Sequence, residues 1–283
     1  MPFTIPIDDA RRQFPEFTFV KALTPSAQKA AFHVKDRNGK DLCLKVIAPN
    51  AEMDRLQREI SALREVVHDN VARFIQYEFS SKSGVVRHFL IEDFVEGDDL
   101  TVSLGKPWPL HRCIVFFVAL ADGLGSIHAK QIVHRDLKPS NIRVTPTGKP
   151  VIIDFGVARH LALPDITKTF QGAGLGTPLY FAPEQFRGTK RDIDLRTDLF
   201  ALGVILHTAI TGTHPFWDGK SVCRHDLEVS VCEMQAYQNS PVFIKMPANM
   251  QTLLNWLLGK RRSDRPRDCQ QVINALNGMN QGA

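Results

Sequence analysis

The alternation of hydrophobic and polar residues changes along the chain near Gly97. Before this residue, short apolar or alternating segments end at turn-forming residues. This pattern predicts β-strands, because successive side chains of a strand point to opposite faces. After Gly97 the apolar stretches are longer and predict buried helices. The predicted strands lie at residues 17–23, 31–35, 42–47, 71–79 and 88–94.

One helix is predicted among these strands, between Ala51 and Val67. Its apolar residues recur at steps of three and four, which places them on one face of an amphipathic helix. These residues are Met53, Leu56, Ile60, Leu63 and Val67. Further along, helices are predicted at 110–129, 197–211, 250–258 and 268–277, with short strands at 142–145 and 151–153.

The order of these elements predicts an α+β fold with two lobes. An N-terminal extension at 1–16 precedes a domain at 17–279. Within that domain, a small β-rich N-lobe with one helix (about 17–94) is followed by a larger α-helical C-lobe (about 98–279), with a hinge at about 92–97. Ligand sites favour the clefts that such lobes share.

Charge and cysteine content narrow the class of protein. The net charge of +5 is mild and describes an ordinary solvated surface, so nucleic-acid binding is not expected. The five cysteines form no CxxC pair, which argues against a disulfide framework or zinc site and for a reducing compartment. The N-terminus lacks an apolar secretory segment, and the apolar stretches at 113–120 and 199–210 are too short or interrupted to cross a bilayer. We therefore expect a cytoplasmic protein without membrane contact.

Two polar segments stand next to the short strands of the second half. HRDLKPSN occupies 134–141, and DFG at 154–156 directly follows the apolar strand 151–153. Phosphoryl transfer requires a carboxylate to accept the hydroxyl proton, oxygen ligands for Mg²⁺, and cations to balance the moving charge. The two segments supply a base (Asp136), metal ligands (Asn141 and Asp154) and a cation (Lys138).

Together with APE at 182–184, these segments resemble the signature of eukaryotic-type (Hanks-type) Ser/Thr protein kinases. A lone aspartate in a loop is usually a turn or cap residue, whereas the ordered set is specific. The resemblance extends from about Phe17 to about Leu276. It implies a bilobal protein kinase-like fold, ATP with Mg²⁺ or Mn²⁺ as cofactors, and a protein substrate. It leaves the oligomeric state open.

The resemblance also assigns a lysine and a glutamate in the N-lobe. Lys45, in the strand Leu42–Ile47, resembles the lysine that binds the α- and β-phosphates. Glu59 shares the inward face of the predicted helix with Leu56 and Leu63, and an inward carboxylate needs a cation. The family reading is a Lys45–Glu59 ion pair.

Several residues of the C-lobe match structural or regulatory positions of the family. Glu184 resembles the glutamate that bonds a buried arginine, here Arg265, and Asp198 resembles the aspartate that holds the catalytic-loop backbone. The resemblance implies that Arg135 binds a phosphate on the segment 154–184 and that Thr177 lies near the acceptor hydroxyl. The candidate phosphate acceptors are Thr167 and Thr169.

The nucleotide-binding positions depart from the family pattern. Residues 24–31 contain no glycine where the family has a GxGxxG loop, so Ser26 and Lys29 are the available side-chain donors. Small or apolar residues suited to an adenine pocket are present at Ala31 and Cys43. Phe94 belongs to the hinge, and the position before it that faces the base is either Glu92 or Ile91. Arg143 stands where a leucine usually underlies the adenine.

Two other function classes compete with an active Ser/Thr kinase. The glycine-free loop favours a pseudokinase that acts as an ATP-binding or nucleotide-free interaction scaffold. A small-molecule kinase shares the fold but normally lacks the lysine at position 138 and the APE segment. Every residue of the chemical step is present, and we therefore expect an active Ser/Thr protein kinase.

Overall fold

The computed structural model describes residues 2–25, 29–48, 63–80, 87–154, 178–188, 192–220, 223–234 and 236–280. These residues form two compact units. The first contains the described residues up to Val95 together with Asp154, and the second contains those from Glu96 to Ile153 and from Pro178 onward. The division after Val95 falls inside the segment 92–97 that was expected to be a hinge.

The first unit is built on a five-stranded antiparallel sheet with the strand order β1-β2-β3-β5-β4. All five predicted strands are present, with bounds that differ by up to three residues from those expected. The strands are β1 (Thr18–Ala22), β2 (Lys29–Lys35), β3 (Asp41–Ile47), β4 (Phe74–Ser80) and β5 (Arg87–Asp93).

The helix predicted at 51–67 ends before its expected last residue. Its residues 51–62 lie outside the described part of the chain, and Leu63 and Arg64 are helical. A turn follows, in which the Val66 amide donates to the Leu63 carbonyl at 3.2 Å. This turn buries Val66 and leaves Val67 71% exposed. The prediction that Val67 belongs to the apolar face of the helix is therefore wrong.

The sheet has one apolar face and one polar face, because side chains alternate along each strand. The apolar face belongs to a single core that includes Phe32, Leu44, Val46, Phe89 and Ile91. The strand register places a different set of residues on the opposite face, which we call the polar face. That set comprises Lys29, Ala31, His33, Cys43, Lys45, Leu90 and Glu92.

Residues before the first strand cover the apolar face. Helix α1 (Ile7–Gln13) leads into Phe14, and both Ala10 and Phe14 are fully buried in the same core as the sheet. The ring of Phe14 packs edge-on against Phe89 with 4.9 Å between ring centroids. The segment 1–16, expected to be an extension, thus contributes to the core of the first unit.

The second unit is mainly helical. Three of its helices, at residues 183–186, 224–233 and 241–244, were not predicted, because they are short or carry little helical periodicity. The helices are α2 (Leu110–His128), α3 (Pro183–Phe186), α4 (Leu195–Thr211), α5 (Arg224–Glu233), α6 (Pro241–Ile244), α7 (Ala248–Leu257) and α8 (Cys269–Asn280).

Helices α2 and α4 form the centre of this unit. By length and composition α2 could cross a membrane, yet half of its most apolar window is buried and α8 packs along it, which is typical of a core helix. Helix α4 approaches α7 closely at Gly203, where an added Cβ would lie 2.7 Å from the Leu257 Cβ. A larger residue at position 203 would therefore force these helices apart.

A three-stranded antiparallel sheet adjoins the helices, with the order β6 (Asp98–Asp99), β7 (Ile142–Val144) and β8 (Pro150–Ile152). Gly97 leads into β6 with φ 126°, and a Cβ there would lie 2.1 Å from the Val144 carbonyl oxygen. Only glycine combines this left-handed backbone with so close an approach.

A buried ion pair joins α3 to the segment before α8. Arg265 donates from both terminal nitrogens to the Glu184 carboxylate, at 2.8 and 2.9 Å, and Thr197 donates to the same carboxylate at 2.8 Å. Arg265 also donates to the Gly259 carbonyl at 2.7 Å. Burial opposes ionisation of Glu184, but the hydrogen bonds from Arg265 outweigh it and hold the Glu184 pKa below its ordinary value.

We predict that Phe14→Ala lowers the free energy of unfolding by about 3–5 kcal/mol, because it opens a cavity between α1 and the sheet. Urea denaturation measures the change. Phe79→Ala is the matched control, since Phe79 lies on the same sheet and is 67% exposed. Equal stability of the two variants would show that the N-terminal segment does not stabilise the sheet.

We predict that Arg265→Ala costs about 3–5 kcal/mol, because it leaves the Glu184 carboxylate buried without its partner. The control Arg262→Ala removes the more exposed pairs to Asp192 and Asp194 and should cost about 1 kcal/mol or less. Because the Glu184 pKa is depressed in the folded state, the ion pair's stabilisation is complete above the ordinary carboxyl pKa and declines as the pH falls below it. Urea midpoints measured across pH should show this decline in wild type and lose it in Arg265→Ala. A pH dependence that is the same in both proteins contradicts the assignment.

Candidate active site

The polar face of the first sheet brings several predicted nucleotide-binding residues together. Ala31 lies opposite Lys45 in the β2–β3 register, and Cys43 lies opposite Glu92 in the β3–β5 register. The ladder hydrogen bonds fix these positions relative to one another. Burial raises the pKa of the Cys43 thiol to about 11, so the thiol stays protonated and presents a small, neutral group on this face.

Four charged residues form a charge cluster at this face: Lys29, Lys45 and Glu92 from the sheet, and Asp154 from the segment after β8. The Lys45 ammonium contacts Asp154 Oδ1 at 2.6 Å and forms an ion pair with Glu92. The Lys29 ammonium forms an ion pair with the same oxygen of Asp154. The Lys45 and Glu92 side chains are 4% and 3% exposed, so this pairing is shielded from solvent.

The contacts in the cluster favour the charged forms of Lys45 and Asp154. Burial disfavours the Lys45 ammonium, but the Asp154 and Glu92 carboxylates outweigh this effect and raise the Lys45 pKa. Burial likewise disfavours the Asp154 carboxylate, and the charges of Lys29 and Lys45 nevertheless lower its pKa. The Asp154 carboxylate is therefore ionised at neutral pH.

The two candidates for the position that faces the base lie on opposite faces of the sheet. Glu92 is on the polar face with Cys43, whereas Ile91 pairs with Leu44 and belongs to the apolar core. The register therefore favours Glu92 over Ile91, and the residue that faces a bound base stays a prediction. Alternation along β5 separates the two residues, because Phe89 and Ile91 share one face and Leu90 and Glu92 the other, but only the register with β3 shows which face carries Cys43.

Phe94, predicted from the sequence to lie in the hinge, is held by an aromatic contact. Its ring stacks on His33, with 3.7 Å between centroids and a 4° angle between ring planes. His33 in turn forms a hydrogen bond with Asp41 at 2.6 Å. Phe94 therefore lies at the edge of the polar face, and the sequence offered no pattern that pairs it with His33.

The HRDLKPSN segment forms a compact polar loop in the second unit. The Lys138 ammonium donates to Asp136 Oδ2 at 2.9 Å. The Asn141 side-chain amide donates to the Asp136 carbonyl at 2.8 Å and to Asp136 Oδ2 at 3.3 Å. Ile153 donates its amide to the Asn141 carbonyl at 2.9 Å, which anchors the loop to the end of β8. The predicted cation, Lys138, and the Asn141 amide thus both contact the carboxylate of the predicted base, Asp136.

Asp198 holds the backbone of this loop. It lies in the first turn of α4, whose N-cap is Asp194, and its carboxylate accepts the amides of His134 and Arg135, each at 2.8 Å. The backbone contact implied by the resemblance is therefore present. His128 adds a third hydrogen bond at 2.9 Å, a partner that no sequence spacing indicated. Although burial opposes it, these contacts hold the Asp198 pKa below its ordinary value.

The backbone is strained both in the HRDLKPSN segment and at Asp154. Arg135 and Asp154 have φ angles of 61° and 65°, in the left-handed region that non-glycine residues seldom occupy. Such conformations persist where surrounding contacts enforce them and concentrate at functional sites. At Arg135 those contacts include Asp198 and Gln185, which donates to the Arg135 carbonyl at 2.9 Å.

The donor chemistry of the predicted metal ligands fits a magnesium ion. Asn141 uses its nitrogen on Asp136, so its amide oxygen is the atom suited to a cation, and Asp154 is anionic. Mg²⁺ typically takes one or two protein carboxylates together with phosphate and water oxygens. Among the residues that the structure describes, no group of three or more His, Cys, Asp or Glu could hold a metal ion.

Arg143 has a structural partner in the second unit. Its guanidinium donates to Asp99 at 2.7 Å and to the Gly97 carbonyl, and thereby ties β7 to the segment that leads into β6. The side chain is thus oriented by these two acceptors.

Five residues assigned from the sequence lie outside the described part of the chain. They are Ser26, Glu59, Thr167, Thr169 and Thr177. The expected Lys45–Glu59 pair and the assignment of phosphate acceptors therefore stay predictions. Within the described residues, Glu92 and Asp154 are the carboxylates that contact Lys45.

Comparison with known proteins gives the family of this chain. The chain is 33% identical over 242 residues to the DNA damage-responsive serine/threonine-protein kinase RqkA of Deinococcus radiodurans, which covers 81% of this chain and 34% of that protein. It is 32% identical over 251 residues to the serine/threonine-protein kinase pkn2 of Myxococcus xanthus, which covers 84% and 29% respectively. The chain therefore spans about a third of the length of these relatives.

The fold is likewise shared with a solved structure. The Mycobacterium tuberculosis PknI kinase domain aligns with a TM-score of 0.66 at 22% identity, covering 93% of this chain and 95% of that one. This likeness confirms the predicted α+β kinase-like fold. A family model for the protein kinase domain matches residues 29–276. The chain belongs to the protein kinase domain family.

Proposed function

We propose that this chain is a Ser/Thr protein kinase that transfers the γ-phosphoryl group of Mg-ATP to a protein hydroxyl. The observation that carries the proposal is the arrangement of Lys138 and Asn141 around the Asp136 carboxylate, on a backbone held by Asp198. The names of RqkA and pkn2 support the Ser/Thr class.

Each group has a role that follows from its chemistry. Asp136 orients the acceptor hydroxyl and takes its proton, while Lys138 beside it balances the negative charge that moves with the phosphoryl group. Lys45 and Lys29 bind phosphate oxygens through their ammonium groups. Asn141 and Asp154 hold Mg²⁺, with Mn²⁺ as a second candidate, and the ion when bound neutralises phosphate charge.

Lys29 gives the glycine-free segment a means of binding phosphate. A glycine-rich loop uses backbone amides, which need glycine to approach the phosphates closely. Here the ammonium of Lys29 lies on the polar face beside Lys45, and both contact Asp154. A pseudokinase is not favoured, because the base, the phosphate-binding lysine and both metal ligands are all retained.

The expected compartment is a reducing one, and we propose a cytoplasmic location for this domain. All five cysteines are free, in agreement with that setting. Four of them, Cys43, Cys113, Cys232 and Cys269, have a thiol pKa raised by burial, which favours the protonated thiol over the more reactive thiolate.

Removal of the proposed base tests the chemical step. We predict that Asp136→Ala lowers kcat by about 10²–10⁴-fold while ADP binds as tightly as to wild type. Incorporation of labelled phosphate and calorimetric titration with ADP measure the two quantities. Asp218→Ala, an exposed aspartate in a loop of the same unit, serves as the control. Equal incorporation by wild type and Asp136→Ala refutes the assignment of the base.

The metal assignment has its own test. We predict that Asp154→Ala abolishes the increase in ADP affinity that Mg²⁺ produces in wild type, because it removes the anionic oxygen ligand. Calorimetric titrations with and without Mg²⁺ measure the difference. If Mg²⁺ strengthens binding equally in both proteins, Asp154 is not a metal ligand.

Autophosphorylation in the segment 154–184 is a further part of the proposal. We predict that mass spectrometry of protein incubated with Mg-ATP finds phosphate on Thr167 or Thr169, and that replacing both threonines by alanine lowers activity. The reason is that a phosphate adds charge which Arg135 can pair bidentately. Unmodified threonines in a fully active protein contradict this prediction.

A further inference from the structure

We infer that Glu92 is a positioning residue for Lys45: it holds the ammonium on the polar face from a neighbouring strand. This inference rests on the proposed kinase function and adds a residue to it. The family reading assigned Lys45 a partner on the helix predicted at 51–67, whereas Glu92 belongs to the sheet that carries Lys45 itself.

The register explains how the contact forms. Lys45 lies directly opposite Leu90 in the β3–β5 ladder, and Glu92 is two residues farther along β5 on the same face. Such diagonal neighbours are within reach of long side chains. Because the ladder fixes both backbones, the position of the carboxylate relative to Lys45 is set by the sheet.

The ion pair between Glu92 and Lys45 balances the charge of the cluster. Lys29 and Lys45 supply two positive charges, and Glu92 and Asp154 supply two negative charges. Three ion pairs link them in a row: Lys29 with Asp154, Asp154 with Lys45, and Lys45 with Glu92. Asp154 is also the proposed metal ligand, so its oxygens serve both the lysines and the ion. Glu92 is the member of the cluster that has no metal to hold, and it provides Lys45 with a dedicated counter-charge.

The burial of Glu92 distinguishes a positioning role from one in which its side chain only lines the pocket for the base. A carboxylate that only lined the base pocket would lose its hydration without compensation, at a large cost in free energy. Glu92 is 2% exposed, and the Lys45 ammonium provides the compensating charge. The two readings differ in what they require of position 92: a lining role requires volume, and a positioning role requires charge.

Two substitutions separate charge from volume. Glu92→Gln keeps the size and removes the charge, whereas Glu92→Asp keeps the charge and shortens the side chain. We expect kcat to fall in the order wild type, Glu92→Asp, Glu92→Gln, with a loss of about 10- to 100-fold for Glu92→Gln, because a misplaced catalytic-site group costs rates of this order. ADP affinity measured without metal should stay at or above the wild-type value, since the variant site has gained one net positive charge.

The control is Glu78→Gln, the same substitution at an exposed position of the neighbouring strand β4, which should leave kcat and ADP affinity unchanged. Rates are expressed per folded protein, with the folded fraction taken from thermal melts. The inference is overturned if Glu92→Gln is as active as wild type or more active than Glu92→Asp. It is also overturned if Glu92→Gln weakens ADP binding without lowering kcat, since Glu92 would then contact the nucleotide.

A measurement on the wild type keeps the inference testable if a variant does not fold. In a crystal structure with Mg²⁺ and ADP, the Lys45 ammonium should lie within ion-pair distance of the Glu92 carboxylate, and separation of the two overturns the inference. If the wild type transfers no phosphate, the proposed function fails. The ADP affinities and the crystal structure still decide the role of Glu92 in that case.

Discussion

The ammonium of Lys45 is a charge placed in an interior that disfavours charge. Taking an ion out of water costs several kcal/mol unless partners of opposite sign replace the lost hydration. Here two carboxylates from separate parts of the first unit replace that hydration. Glu92 lies on β5, and Asp154 lies in the segment after β8. The order of the strands, the alternation along them and the left-handed backbone at Asp154 together bring these two carboxylates to the Lys45 ammonium. The rest of the polar face is arranged around this requirement.

The second unit meets a comparable requirement through backbone contacts. The loop that carries Asp136 is irregular, and its amides at His134 and Arg135 would lack partners without a carboxylate beneath them. Asp198 supplies that carboxylate from a helix whose hydrophobic neighbours fix it in place, and His128 fixes its orientation. The Glu184–Arg265 pair anchors the adjoining segment in the same way. Rigid elements therefore position the reactive groups, which themselves lie on loops.

Most of the fold and the catalytic loop could be predicted from the sequence, because each left a local signal. The strands of the first unit alternate visibly, and the HRDLKPSN segment carries its own spacing. Glu92 was left open because its face depends on which residue of β5 pairs with Cys43, and register is a non-local property. His128 was missed because it meets Asp198 across 70 residues of sequence. Helix α1 was missed because its seven residues are too few to show helical periodicity, and its burial depends on a sheet formed later in the chain.

The two faces of the first sheet are stabilised by different physical forces. The face covered by α1 and Phe14 is apolar, so its contribution weakens on cooling and in urea. The face that carries Lys45 depends on buried ion pairs, whose desolvation penalty falls as temperature rises. Warming from low temperature therefore increases the stabilisation that each face provides. Cooling reduces the stabilisation of both faces at once. For a domain built on this sheet, stability at low temperature therefore depends on the apolar layer behind the polar face as well as on the ion pairs of the polar face itself.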